Sequence, residues 1–264
     1  MKQTLIPFNN EIPNLLKILS SNRKVCFLFN FDTLIASDLN NSHSNFSKIS
    51  NQLQWIASLQ NLYVGIISIE TLDNLRKTFN TTDVILAGSL GYEIEGLKFS
   101  WQFPKLGMIR HKLESIYENL FMELSDDPID SIVHNFGFAL QIKLPINDEI
   151  KIQRICNIVE NHIDSPEQLE IIKHEQLIKV RPKSIWDKGK AVEKILNLLP
   201  RDGNSFPLVI YFGDDISDEP AFKKSNLYGY SVIIDENINR ITKARYFFRN
   251  NIELTKFLFW VHSR

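Results

Sequence analysis

With 264 residues, 44% of them apolar and 23% charged, the chain can form one large domain or two unequal ones around a real core, and its composition is that of an ordinary soluble protein. A formal net charge of −1 provides no electrostatic basis for binding nucleic acid or a membrane surface. There is no charged-then-apolar leader pattern and no apolar run of membrane-spanning length. Cys26 and Cys156, each inside an apolar-periodic segment, read as buried free thiols without a disulfide frame or zinc spacing, so a cytoplasmic protein is expected.

Taken in order, residues 11 to 20 carry Ile12, Leu15, Leu16, Ile18 and Leu19 at the spacing of a short amphipathic helix. Val25 to Phe29 is a tight apolar run, the first buried strand, ending in Asn30-Phe31-Asp32-Thr33-Leu34. A polar side chain at the strand tip and another two residues on would face the same way on extended backbone. The Asn-rich patch around Asn40, Asn41 and Asn45 is short enough to be one loop. Leu53 to Leu62 has helical spacing, and Tyr63 to Ile67 forms the next strand, ending at Ser68 before a helix from Thr71 to Phe79. A hydroxyl there can bind phosphate or simply cap the helix. Val84 to Ala87 is a third strand, followed by Gly88-Ser89-Leu90-Gly91-Tyr92-Glu93. Strand, helix and strand in alternation predict a parallel sheet with right-handed crossovers.

The pattern changes from about Lys98 to Lys179: a strand, a helix from His111 to Leu124, a strand from Phe138 to Leu144, a helix from Glu149 to His162 and a strand from Leu169 to Ile172. This predicts an antiparallel sheet with helices on one face, inserted into the parallel one, where it would lie over the strand ends and close on a substrate. Val180-Arg181-Pro182 returns the chain to the core. Asp187-Lys188-Gly189 opens a helix through Ala191, Val192, Ile195 and Leu198, and a Lys there is at the wrong end for the helix dipole. Ser231 to Ile234 is the last strand candidate, and a helix from Glu253 to Val261 closes the chain.

Between the helix that Lys188 opens and the strand at Ser231, Leu208 to Phe212 reads as a strand buried on both faces, broken by Gly213 and followed by Asp214, Asp215, Asp218 and Glu219. Ligands of open α/β sheets bind beyond the carboxyl ends of the strands. Four carboxylates crowded there repel one another, and a hard cation such as Mg²⁺ is the usual remedy. The plainer alternative is an acidic loop capping a helix N-terminus.

With these pieces in place the chain resembles the haloacid-dehalogenase superfamily, and within it the trehalose-6-phosphate phosphatase family, from Val25 to Trp260. Gly213-Asp214-Asp215-Ile216-Ser217-Asp218-Glu219 is similar to the family's G-D-D-x-[ST]-D-E. Val180-Arg181-Pro182 running into Lys188-Gly189 is similar to R-P…K-G-x-A, and Gly88 to Glu93 to G-x-H-G-x-E with Leu90 at the His. The resemblance implies an α/β fold: a Rossmann-like parallel-sheet core from residues 1–97 and 184–264, and a smaller inserted α+β cap at 98–183. It also implies Mg²⁺ held by Asn30, Asp32, Asp214, Asp215 and Asp218, phosphate bound by Ser68 and Lys188, and a sugar read by Glu93, Arg181 and Lys143.

The same resemblance exposes a break. Family members end the first strand in D-x-D-G-T, where the first Asp attacks phosphorus and the second serves as acid and base. Here Asn30 stands at the nucleophile's position and Asp32 at the acid's, Ser68-Ile69-Glu70 replaces S-G-R, and Gln141-Ile142-Lys143 replaces the cap's H-Y-R pattern. Three expectations follow. One is a catalytically silent, Mg²⁺- and sugar-phosphate-binding regulator. The second is an active sugar-phosphate phosphatase that uses water, activated by Asp32 or the metal, in place of the aspartyl nucleophile. The third is a structural partner of a trehalose-synthesis enzyme.

Overall fold

The computed structural model describes residues 4–36, 44–79, 81–124, 132–144, 149–163, 169–174, 176–183 and 186–263. The chain divides into two compact units, residues 1–101 with 186–264, and residues 102–185. The division at 101/102 falls within the strand from Phe99 to Gln102, which continues the sheet of the first unit, where the resemblance implies 97/98.

That first sheet has nine strands: β1 (Ile6–Pro7), β2 (Val25–Asn30), β3 (Leu62–Ile67), β4 (Val84–Gly88), β5 (Glu93–Gly96), β6 (Phe99–Gln102), β11 (Leu208–Gly213), β12 (Gly229–Ile234) and β13 (Tyr246–Phe248). Their order is β1-β13-β12-β11-β2-β3-β4-β5-β6, parallel from β1 through β4, with β5 antiparallel to β4. Every residue of β2 and β11 is buried. The reason is two-sided cover. Phe27, Phe29, Ile210 and Phe212 pack with α3 (Ser44–Ser58) and α9 (Asn251–His262), while Cys26, Leu28, Val209 and Tyr211 pack with α7 (Lys188–Leu198) and α8 (Glu219–Ser225). Successive side chains alternate between the two layers, so a strand between them reads as one continuous apolar run. Phe8 sits at the centre of the first layer, fully buried among the rings of Phe212, Tyr230, Tyr246, Phe248 and Phe257 at 5.5–6.0 Å.

The remaining helices of this unit are α1 (Ile12–Leu19), α2 (Phe31–Ala36) and α4 (Leu72–Thr78). Two local expectations are corrected. Asn45 belongs to α3, not to a loop, while Asn40 and Asn41 lie outside the described residues. More consequentially, α2 starts directly after β2, so Asp32 stands on helical backbone and the two-residue alternation with Asn30 does not apply; Asn30 is buried and Asp32 exposed.

The second unit is a four-stranded antiparallel sheet in the order β7 (Val133–Asn135), β8 (Leu140–Lys143), β10 (Leu177–Pro182) and β9 (Leu169–His174). Its core joins that sheet, through Ile142, Ile178 and Val180, to α5 (Leu106–Glu123) and α6 (Glu149–Asn161), through Leu113, Ile116, Leu120, Ile155 and Val159. Helix α5 begins five residues before the expected His111, just after Pro104 and Lys105, and buries Leu106 and Ile109 there. Cys26 and Cys156 are free and buried, as expected. Among the described residues no helix is long and apolar enough to cross a membrane.

Candidate functional site

Strand order brings the polar strand ends together. β2 lies between β11 and β3, with Phe29 opposite Phe212 and Asn30 opposite Ile67, so the tips that carry Asn30, Gly213 and Ser68 are neighbours. Because β3 and β11 flank β2 on opposite sides, this is also where the winding of the sheet reverses, the usual ligand crevice of such folds.

Asp218 is the hub. Its side chain is fully buried and takes five donors: Lys188 Nζ at 2.8 Å and the Tyr211 hydroxyl at 2.6 Å on one oxygen, and the backbone N–H of Asp214 at 3.0 Å, that of Asp215 at 3.2 Å and Asn30 Nδ2 at 3.3 Å on the other. That fills the acceptor capacity of a carboxylate, so Asp218 works as an anchor for Lys188 and the loop. Gly213 makes the arrangement possible: a Cβ there would come within 2.5 Å of the Asp218 carboxylate.

Asn30 is also fully buried, and its amide donates to Asp214 Oδ1 at 3.0 Å as well as to Asp218. Its own Oδ1 is buried and, among the described residues, unpartnered. Thr33 adds a hydroxyl at 2.8 Å to the same oxygen of Asp214. Burial pushes the Asp214 carboxyl up, with the Thr33 bond opposing and the Asp218 charge adding. Asp32 is also pushed up, first by desolvation; Lys188 opposes this and Asp214, Asp215 and Asp218 reinforce it. Asp215 goes the other way: desolvation raises it, but the Ser217 hydrogen bonds and the Lys188 charge outweigh that. Asp215 and Asp218 form a capping box over the short turn at Ile216–Asp218, so the plainer reading of the acidic loop is realised alongside the site. Glu219 turns away to accept the Lys243 N–H at 2.6 Å.

The donor chemistry here fits a hard cation that keeps much of its own water: an unpartnered amide oxygen on Asn30, whose N–H reaches Asp214, and the Asp32 and Asp215 carboxylates near Asp214. It does not form a full protein cage, since among the described residues no three Asp, Glu, His or Cys side chains group to hold a metal.

Ser68 is buried; its hydroxyl accepts the Glu70 N–H at 3.0 Å, and among the described residues its proton has no acceptor. The cap of α4 is Thr71, not Ser68. Glu70 points to Asn74 at 2.8 Å. Glu93, half-buried, accepts from Ser89 at 3.1 Å. Arg181 and Lys143 both belong to the second unit, where Arg181 pairs with Glu170 at 2.7 Å and Lys143 is exposed on β8.

Three residues escaped the sequence reading: Tyr211, Thr33 and Arg240, whose guanidinium binds the Asp214 carbonyl at 2.7 Å and Asp235 at 3.1 Å. Only Tyr211 carried a signal, as a hydroxyl within a fully buried strand that must find a partner. Tyr211→Phe should therefore cost about 1–2 kcal/mol and loosen Lys188. A denaturation midpoint equal to the wild type would remove Tyr211 from the network.

The trehalose-phosphatase family model matches residues 28–248. Among sequence relatives, the probable trehalose-phosphate phosphatase 4 of Oryza sativa subsp. japonica is 26% identical over 201 residues, covering 74% of this chain and 54% of that protein. The chain thus spans about half the length of the curated relatives it matches. Among solved structures, the C-terminal domain of C. albicans trehalose-6-phosphate phosphatase superposes with a TM-score of 0.70 at 18% identity, covering 99% of both chains. The C-terminal domain of a Candida albicans trehalose synthase regulatory protein gives 0.65 at 15% identity, covering 96% of this chain and 99% of that one. A family match across most of the chain, on a similar fold, places this chain in the trehalose-phosphatase family.

Proposed function

We propose that this protein binds a phosphorylated sugar with Mg²⁺ but does not turn it over, acting as a regulatory relative of the phosphatases. The observation that carries this reading is Asn30: it occupies the strand tip where the chemistry needs an ionised carboxylate, and its amide protons are committed to Asp214 and Asp218. An amide oxygen is a poor nucleophile and cannot form an ordinary acyl phosphate. Binding groups are retained. Ser68 offers a hydroxyl proton to a phosphate oxygen, and Lys188, held by Asp218, supplies positive charge beside it. Asn30 Oδ1 and Asp214 would hold the Mg²⁺, which supplies charge neutralisation for the phosphate. Loss of one negative charge at position 30 lowers repulsion toward that phosphate. Glu93, Arg181 and Lys143 are the candidate sugar contacts. The likeness to a trehalose synthase regulatory protein supports a trehalose-synthesis enzyme as partner.

A second reading rests on Asp32. It is exposed and its carboxyl is pushed up, which brings a general base closer to working pH and lets it reach water. In that case water would attack the phosphate directly.

The test is thermal unfolding with and without Mg²⁺ across sugar phosphates that include trehalose-6-phosphate, with phosphate release followed on the same samples. Ligand that binds only the native state raises the melting temperature. A rise without release is expected. Release that disappears in Asp32→Ala would replace the first reading by the second, and no rise at all would leave a structural partner.

A further inference from the structure

The turn between β4 and β5 is strained, and the chain contains a device that holds it. Ser89 and Leu90 have φ of 53° and 57°, followed by Gly91 at 85°, so three consecutive residues sit in the left-handed region that side chains seldom adopt. Such a turn persists only where its surroundings over-determine it. Here the Ser89 N–H bonds the Glu70 carbonyl at 2.6 Å and the Leu90 N–H bonds the Ser68 carbonyl at 2.7 Å, so the turn is tied to the strand tip that carries the candidate phosphate-binding hydroxyl. The remaining hook comes from elsewhere in the chain: Trp186 Nε1 donates to the Leu90 carbonyl at 3.1 Å.

Trp186 is itself locked. Its ring stacks on Trp101 with centroids 5.2 Å apart and planes at 23°, and lies 5.7 Å from Tyr92; Lys194 Nζ sits 4.5 Å above the Trp101 ring. Trp101 is the last residue of the first unit before the insertion and Trp186 the first after it. Two residues beyond Trp186 comes Lys188, and Ala191 on the same helix packs so closely on the turn that a Cβ at Gly91 would approach it to 2.3 Å. One short segment therefore presents the lysine and grips the turn that backs Ser68.

We propose that Trp186 is a positioning residue that keeps Ser68 and Lys188 in register for an oxyanion, by fixing the left-handed Ser89–Leu90 turn through its indole N–H. This rests on the phosphate-binding reading above and adds a residue to it. The Trp101 ring holds the indole in place and makes no hydrogen bond to the turn.

The experiment uses Trp186→Phe, which keeps a ring in the stack and removes the N–H, with Trp101→Phe as the companion that keeps the bond. Backbone hydrogen exchange at residues 68–70 and 88–92 and the affinity for tungstate, an inert phosphate mimic, are measured on both variants and the wild type in Mg²⁺. Trp186→Phe should exchange faster at the turn and bind tungstate about fivefold more weakly, the loss of one hydrogen bond's worth of order. Trp101→Phe should bind within about twofold of the wild type, since a phenyl ring still fills the stack. Unchanged exchange in Trp186→Phe, or faster exchange with undiminished tungstate affinity, would overturn the assignment. Should the wild type take up no tungstate, the phosphate-binding reading fails, and exchange alone then decides whether Trp186 holds the turn.

Discussion

Asn30→Asp is expected to destabilise the protein when divalent cations are removed and to recover its stability when Mg²⁺ is supplied. In the native chain the Asn30 amide bridges Asp214 and Asp218 with two N–H bonds, at 3.0 and 3.3 Å. A carboxylate in its place turns both contacts into oxygen facing oxygen, inside a pocket where residue 30 is fully buried. Two charge-assisted bonds are lost and a like charge is added, for about 3–5 kcal/mol, the cost of an uncompensated buried charge. That corresponds to a fall on the order of 10 °C in melting temperature. The native amide thus does internally part of what a cation does for a carboxylate cluster. With Mg²⁺ present the substituted protein should regain the lost stability and, on the proposed function, begin to release phosphate from a sugar phosphate, because a carboxylate nucleophile then stands at position 30. A variant as stable as the native chain in chelator would show that the amide bridge contributes nothing. A stable, cation-loaded variant without phosphate release would show that Asn30 is not the only lesion.

The other large effect is expected at Lys188. Its ammonium is 3% exposed and pairs with a carboxylate that is 0% exposed, at 2.8 Å. Lys188→Met leaves Asp218 buried with hydrogen bonds but no counter-charge, and breaking such a pair from one side costs about 3–5 kcal/mol. Asp218→Asn alone strands the lysine in the same way. The double variant should recover part of the loss, because neither charge is then left uncompensated, and the coupling between the sites should exceed about 1 kcal/mol. Additive losses would mean that the pair contributes no coupling. On the proposed function, Lys188→Met should also abolish the stabilisation by sugar phosphates, whatever its effect on folding, because it removes the positive charge assigned to the phosphate.

Much of this protein is legible in its sequence, for a physical reason. Strands covered on both faces, such as Val25–Asn30 and Leu208–Gly213, show as unbroken apolar runs, and amphipathic helices such as the one carrying Ala191, Val192 and Ile195 show as period-3.6 stripes. The acidic loop stands out because it follows a buried strand directly, and Asn30 stands out as a polar residue at the tip of another. Short or edge elements were not legible: Ile6–Pro7 and Tyr246–Phe248 are too short to display a period, yet they pair with each other at the end of the sheet. The start of α2 was missed because nothing in Asn30-Phe31-Asp32 signals that strand passes to helix without a loop.

What the sequence by itself determined is therefore the fold class and the gathering of polar residues, Asn30 among them, at the ends of buried strands. The tertiary structure decided how the charges are shared. Which carboxylate is neutralised depends on partners far apart in the chain: Lys188 lies 30 residues from Asp218, and Asn30 lies 188 from it. Strand order and register set those meetings, and local periodicity carries no record of them. The same cause separates the four acidic residues of one short loop. Asp218 became an anchor, Asp215 a cap and Glu219 a loop tether, while Asp214 is held by the Asn30 amide and the Thr33 hydroxyl.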